Sequence, residues 1–404
     1  VLATIAMQRA LITRDFEVLF VAEHGSSKTP PLFNVATMWS ALEGSILLWG
    51  LVLAGYLVIV VRKFRDRLDD PLVAWAMVVL FVVTAFFLAL MLGPANPFQR
   101  FDPPVGYDGP GPNPLLQNHI LVAFHPPMLY LGYVGFTVPF AFAMAALITG
   151  RLGEGWLLET RRWTLFAWGF LTAGIVLGAW WAYDVLGWGG YRGWDPVENA
   201  SFLPWLTGTA YLHSVLVQER RGMLRVWNLS LVCATFSLTI LGTFITRSGV
   251  LADFSVHSFV DLGITGWLVF NMGFFLVVSI ALLAMRWREI PSEVGEEPFI
   301  SRTIFFVVGI LLFILIGLVV LLGTSAPLIS RLWGEPAQVG PEFYNAMGFW
   351  IAVAFAAFLG GTPFLAWSRA RKGAGKVLGG TLAVTGAVLV LAAVLGLSNW
   401  KAYF

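Results

Sequence analysis

The sequence predicts an all-α integral membrane protein with about ten to eleven transmembrane helices, at about 20 apolar residues per crossing, joined by short loops and carrying a tryptophan-rich external segment. Three observations carry that prediction. Hydrophobic residues make up 58% of the 404 and charged residues 12%, with a mean hydropathy of +0.78, far outside the usage of soluble domains. The apolar residues fall into long runs bounded by charges, the pattern of spanning helices. The segments between the runs alternate in basic content, which is the quantity that sets orientation in a membrane.

In chain order the runs lie near 35–61, 71–93, 119–147, 163–187, 203–217, 227–245, 266–285, 303–323, 346–367 and 377–396. Residues 1–12 read as the tail of another span, since the chain opens on Val1 and Arg9 is followed by polar sequence. A signal peptide would need a basic start and a small-residue cleavage site, and neither is visible. Segments 62–70, 151–162, 218–226, 286–302 and 368–376 together hold seventeen Lys and Arg, against four in 94–118, 188–200, 246–265 and 324–345. The first set is expected to face the cytoplasm and the second the outside. Residues 94–118 contain seven prolines and cannot be helical throughout, which suits an external loop. The chain thus reads as one polytopic membrane domain, 1–404, with external segments at 180–205 and 246–265. No internal repeat is evident.

Charge and cysteine content exclude several functions. A net charge of +2 is too small and scattered to point to nucleic acid. The single cysteine, Cys233, rules out a disulfide framework, a CxxC redox pair and a thiolate metal cluster within this chain. Thiol chemistry must come from a partner.

Between 180 and 205, WWAYDVLGWGGYRGWDPVENASFLPW holds five of the eighteen tryptophans: Trp180, Trp181, Trp188, Trp194 and Trp205. An aromatic belt at the water interface is one reading. The interleaved Gly187, Gly189, Gly190 and Gly193 favour another, a platform on which the backbone approaches a planar ligand closely. Asp195 and Glu198 suggest catalysis at first sight, yet D-P-V-E is also an N-cap, a proline at N1 and an acid at N3. Among the five histidines, His125 and His213 fall inside runs. They read either as helix-packing groups or as axial ligands clamping one haem between two helices. Counting 1.5 Å per residue puts His125 roughly 9 Å and His213 roughly 13 to 18 Å below their outer helix ends, a mismatch that tilt and the disturbance at Pro126 and Pro127 can absorb. His257 lies in the external loop with Arg247, which is suited to a carboxylate such as a haem propionate. Glu43, a buried acid in ATMWSALEGSILLWG, reads as a helix-bridging hydrogen bond or as a proton or quinone contact.

Four motifs in order, HPPMLYLGYV at His125, WGGYRGWDPVENASF, WLTGTAYLH ending at His213, and TRSGVL before His257, resemble the haem-handling family with a tryptophan-rich (WWD) external domain. The match spans roughly residues 34–260, and the span count together with EGSILLW is most similar to the large members of that family, the membrane haem lyases of cytochrome c maturation. The resemblance implies a haem lyase subunit of the bacterial cytoplasmic membrane that acts within a complex and attaches haem to the CxxCH cysteines of apocytochrome c on the periplasmic side. It implies His125 and His213 as iron ligands of a buried bis-histidine haem b, and His257 as an iron ligand of the transient haem substrate and the catalytic-side histidine. Trp180, Trp181, Trp188, Tyr191, Arg192, Trp194, Asp195 and Arg247 would bind that haem. Implied partners are a haem chaperone, apocytochrome c, thiol-reducing subunits, lipid and quinol. The family usually has tryptophans where this chain has Tyr191, Arg192 and Gly193, so the platform is narrower here and Arg192 is available to a propionate. The second external histidine is expected beyond residue 404, as in a piece of a longer protein. A haem transporter or carrier of the same family, without ligation activity, is the alternative function.

Overall fold

The computed structural model describes residues 1–404 except 118, 188–192, 256, 260–262, 292–296, 368–372 and 395–404, and except some side chains between 364 and 394. Its regular elements among the described residues are helices, and an isolated antiparallel bridge between Val18 and Arg100 is the β pairing among them. Among the described residues, eight helical stretches are long and apolar enough to cross a membrane. The protein is an all-α, multi-pass membrane protein.

The chain forms two compact units: Val1–Trp205 with Val232–Glu289, and Leu206–Leu231 with Ile290–Phe404. In the first unit, α1 (Leu2–Thr13), α2 (Leu19–His24) and α3 (Pro31–Ala36) precede the long α4 (Leu42–Phe64) and α5 (Pro71–Leu92). Helix α5 starts as its sequence dictates: Asp70 accepts the Leu72 N–H at 3.0 Å and Pro71 occupies the first turn. Next come α6 (His125–Gly135), α7 (Thr137–Thr149) and α8 (Gly155–Val185). The run expected at 119–147 is one candidate span, Ile120–Thr149, which opens with a 3₁₀ turn at Ile120–Ala123 before α6 starts at His125.

Helices α6 and α8 lie side by side along a seam of small residues. Gly174 and Gly178 on α8 are spaced as G-x-x-x-G, the arrangement that lets two membrane helices approach closely. A Cβ on Gly174 would lie 2.8 Å from the Leu129 nitrogen, and one on Gly132 would lie 2.5 Å from the Leu171 nitrogen. Neither backbone can retreat.

Helices α9 (Pro196–Arg221) and α10 (Arg225–Arg247) contribute to both units, and α11 (Thr265–Arg286) completes the first. The proline-rich 94–118 segment is irregular, as expected, and is tied to the segment around α2. Leu19 N–H donates to Gln99 at 2.8 Å, Phe101 N–H to Glu17 at 2.8 Å and Gly111 N–H to Gly25 at 3.0 Å. The Tyr107 hydroxyl donates to the Ala22 carbonyl at 3.0 Å and Asp108 accepts the Ser27 N–H at 2.7 Å. These bonds replace the ladder that prolines deny the loop.

The second unit contains α12 (Arg302–Ser330), α13 (Pro341–Gly361) and α14 (Ala374–Val394). Ser301 caps α12 through the Ile304 N–H at 3.3 Å. Gly323 admits the Tyr344 ring, whose Cε1 would be 2.6 Å from a Cβ there. Arg221 donates to the buried Glu297 carboxylate.

Candidate functional site

His125 is the first residue of α6, and Pro126 and Pro127 fill the first turn. Prolines there cost no hydrogen bond and preset the helical φ, so they begin the helix instead of disturbing it. His125 thus stands at the start of α6, just after the 3₁₀ turn Ile120–Ala123. His125 Nδ1 lies 2.7 Å from the Gly174 carbonyl oxygen; a carbonyl only accepts, so Nδ1 carries the proton and Nε2 is left with its lone pair. The ring also lies edge-on to Trp181 at 5.8 Å, and a Cβ on Gly178 would overlap it.

His257 approaches from the loop between α10 and α11. Its Nδ1 lies 3.3 Å from Asp195 Oδ1, the Ser255 hydroxyl donates to the same oxygen at 2.9 Å, and Ser255 Oγ accepts the His257 N–H at 3.1 Å. Asp195 also caps α9, taking the Val197 N–H at 2.8 Å and the Glu198 N–H at 3.3 Å. Asp195 is thus the cap read from D-P-V-E, and the same carboxylate contacts the His257 imidazole, as carboxylates do that orient histidines at metal sites. Glu198 reaches back to the Gly193 N–H at 3.2 Å. Burial opposes the charge on each partner, but the His257 hydrogen bond and charge hold the Asp195 carboxyl below its usual range, and Asp195, with Glu198 behind it, raises His257 above the ordinary histidine value.

Arg247 ends α10 and does not lie in the loop. It is 4% exposed, its Nε donates to Ser45 Oγ at 3.2 Å, and Nη2 donates to the Tyr130 hydroxyl. The guanidinium lies 5.5 Å from the Trp49 ring, 5.6 Å from Tyr130 and 6.0 Å from Phe259.

These residues wall one cavity of about 660 Å³ in the first unit, lined by His125, His257, Arg247, Trp181, Glu43 and His24 among others. That volume falls within the roughly 300 to 1,000 Å³ of ligand pockets. His125 and His257 are near enough for the charge of one to bear on the other. Glu43 stands in the first turn of α4, on the cavity wall rather than deep in a span.

The other candidate residues lie apart. Trp180 is 55% exposed and faces His119 at 6.3 Å. Trp194 is not among the residues lining the cavity, and its φ of 56° is a left-handed conformation costing an L-residue roughly 1 to 2 kcal/mol, a kind of strain found at functional sites. Trp205 packs on Trp168 and donates to Thr172 at 2.9 Å. Trp188, Tyr191 and Arg192 lie outside the described residues. His213 belongs to the second unit, where its Nδ1 donates to Thr209 one turn back at 2.8 Å and its ring lies near Phe306 and Phe313. No cluster of three His, Cys, Asp or Glu suited to a bare metal ion occurs among the described residues.

The family model described as Cytochrome C assembly protein matches residues 39–251, a stretch that takes in the whole cavity apart from α2 and the His257 loop. The chain belongs to the cytochrome c assembly protein family. Within it, the chain is 43% identical to the cytochrome c-type biogenesis protein CcmF of Escherichia coli, over 91% of this chain and 57% of that protein. It is 44% identical to CcmF of Pseudomonas aeruginosa, over 89% and 54%. The solved structure of the cytochrome c haem lyase CcmF superposes with a TM-score of 0.73 at 38% identity, covering 91% of this chain and 54% of that one. The chain spans about half the length of these relatives.

Sequence reasoning missed Ser45, Trp49 and Tyr130, although each stands inside a motif that carried the family resemblance. Their spacing along the chain gives no sign that α4, α6 and α10 converge.

Proposed function

We propose that this chain is the haem-handling part of a cytochrome c haem lyase, and that its first-unit cavity receives the haem to be attached. The observation that carries this is the shared cavity, in which two imidazoles, a buried guanidinium and an indole face one space of suitable volume. Each imidazole has Nδ1 engaged by an oxygen, which directs Nε2 to iron. The cavity supports His125 with His257 as the pair flanking substrate haem, in place of the pairing of His125 with His213. His213, with its tautomer set by Thr209, would then ligate the separate haem b with a different partner; that group supplies an electron store when bound. Trp181 offers an apolar face to the porphyrin, and Arg247 supplies the counter-charge.

Holding haem by two histidines leaves its vinyl groups to the apocytochrome. Each cysteine S–H adds across a vinyl C=C, with sulfur bonding one carbon and the proton going to the other, so no net oxidant is required. The protein's share is to exclude water and fix the ring. The chain would lie in the bacterial cytoplasmic membrane with the cavity toward the periplasm. A haem chaperone, apocytochrome c and thiol-reducing subunits would meet it there, with quinol as the source of electrons.

Titrating purified haem-free protein with haemin tests the reading. Wild type should give a six-coordinate low-spin spectrum at this site, whereas His125→Ala and His257→Ala should each give a five-coordinate one and less cytochrome c in cells. Wild-type spectra and cytochrome c yield in both variants would sink it.

A further inference from the structure

We infer that the corner of the cavity lined by Arg247, Tyr130 and Trp49, with Ser45 holding the guanidinium, is a carboxylate clamp that makes the site selective for porphyrins with free propionates; this rests on the cavity receiving haem. Arg247 is buried, and among the described residues no carboxylate pairs with it. A guanidinium out of water without a counter-ion is costly, and three aromatic faces offset that only in part. The site is built to receive the missing anion.

Hydrogen-bond polarity at the corner points the same way. The Ser45 hydroxyl gives its proton to the Leu42 carbonyl at 2.6 Å and so presents a lone pair to Arg247 Nε. Tyr130 accepts from Nη2, which leaves its own O–H to donate. Trp49 is 3% exposed and lines the cavity, and its indole N–H is without a partner among the described residues. Its ring is fixed by stacking on Phe87 at 4.8 Å. What this corner offers the cavity is therefore a set of donors, the remaining N–H groups of Arg247 and the Tyr130 O–H. An ionised carboxylate accepts and cannot donate, so the match is to a propionate, whereas an ester loses the charge. Ser45 and Tyr130 act as positioning residues, holding the guanidinium by its Nε edge so that the other edge meets the ligand.

The test compares zinc protoporphyrin IX with its dimethyl ester on the purified full chain, reading affinity by fluorescence. Wild type should prefer the free acid by about tenfold or more, the scale of a charge-assisted bond. Arg247→Gln should bring the two affinities together. Tyr130→Phe and Ser45→Ala should each lower the acid-to-ester ratio about threefold, the scale of one neutral hydrogen bond, with ester binding as the internal check that the cavity is intact. Equal affinities in wild type, or an unchanged ratio in Arg247→Gln, would overturn the clamp while leaving the haem cavity standing. Failure of both porphyrins to bind wild type would overturn the clamp and the haem reading together.

Discussion

Asp195 Oδ1 is shared by the Val197 N–H, the Ser255 hydroxyl and the His257 ring, so one atom serves both a helix start and an imidazole. Asp195→Asn keeps a good cap but removes the charge that orients His257. Haemin titration should show affinity lowered about 10- to 100-fold, the usual cost of losing such a partner, with little change in melting. Asp195→Ala should add about 0.5 to 2 kcal/mol of lost capping; equal haem affinity in wild type and Asp195→Asn would free Asp195 from the orienting role. The pair also makes stability depend on pH. Because folding raises the His257 value, its contribution is complete below the ordinary histidine value of about 6.5 and is lost as pH climbs through the raised one. Asp195, held low, stays ionised across that window. In haem-free protein the melting difference between wild type and His257→Gln should be larger near about pH 6 than near about pH 9, and a difference constant with pH would contradict the pairing.

At the scale of elements, the α6–α8 seam sets where the His125 ring can stand. Gly178→Ala ordinarily gains about 1 kcal/mol of helix propensity, yet here the added methyl meets the imidazole. The variant should keep its helix content by circular dichroism and lose haem affinity; undiminished affinity would show that the ring is placed by something other than the seam. Orientation is testable in the same unit. Cysteines at Val105 and Gly153, both exposed, should react with an impermeant reagent from opposite faces, and labelling of both from one face would overturn the basic-residue reading. The long helices were legible because lipid leaves them one way to satisfy their backbone, and the α9 start was legible because D-P-V-E is a local signal. The His125 position was not, since two prolines can either break a helix or begin one, and only the turn before them decides. Arg247 was read into a loop because a charge usually ends a span. The convergence of Ser45, Trp49 and Tyr130 on it depends on packing among three helices, and no local pattern encodes that.

For the whole molecule, the proposed separation of two haem sites has a spectral consequence. His213→Ala should remove a low-spin b-type spectrum from purified protein while leaving the response to added haemin, and His257→Ala should do the reverse; loss of both signals in either variant would mean a single site. The proline-rich segment carries a consequence of another kind. The 94–118 segment and the segment around α2 are fastened at Leu19, Gly25, Ala22 and Ser27, while Val105 at the tip is fully exposed. Exposed loop tips are where proteases cut. A nick near Val105 would leave stitches on both sides of the break, Phe101 to Glu17 and Tyr107 to Ala22, so the two fragments should migrate together until detergent denatures them. The part of the cavity wall that these two segments supply would then behave as a noncovalent assembly whose parts are cut yet stay in place.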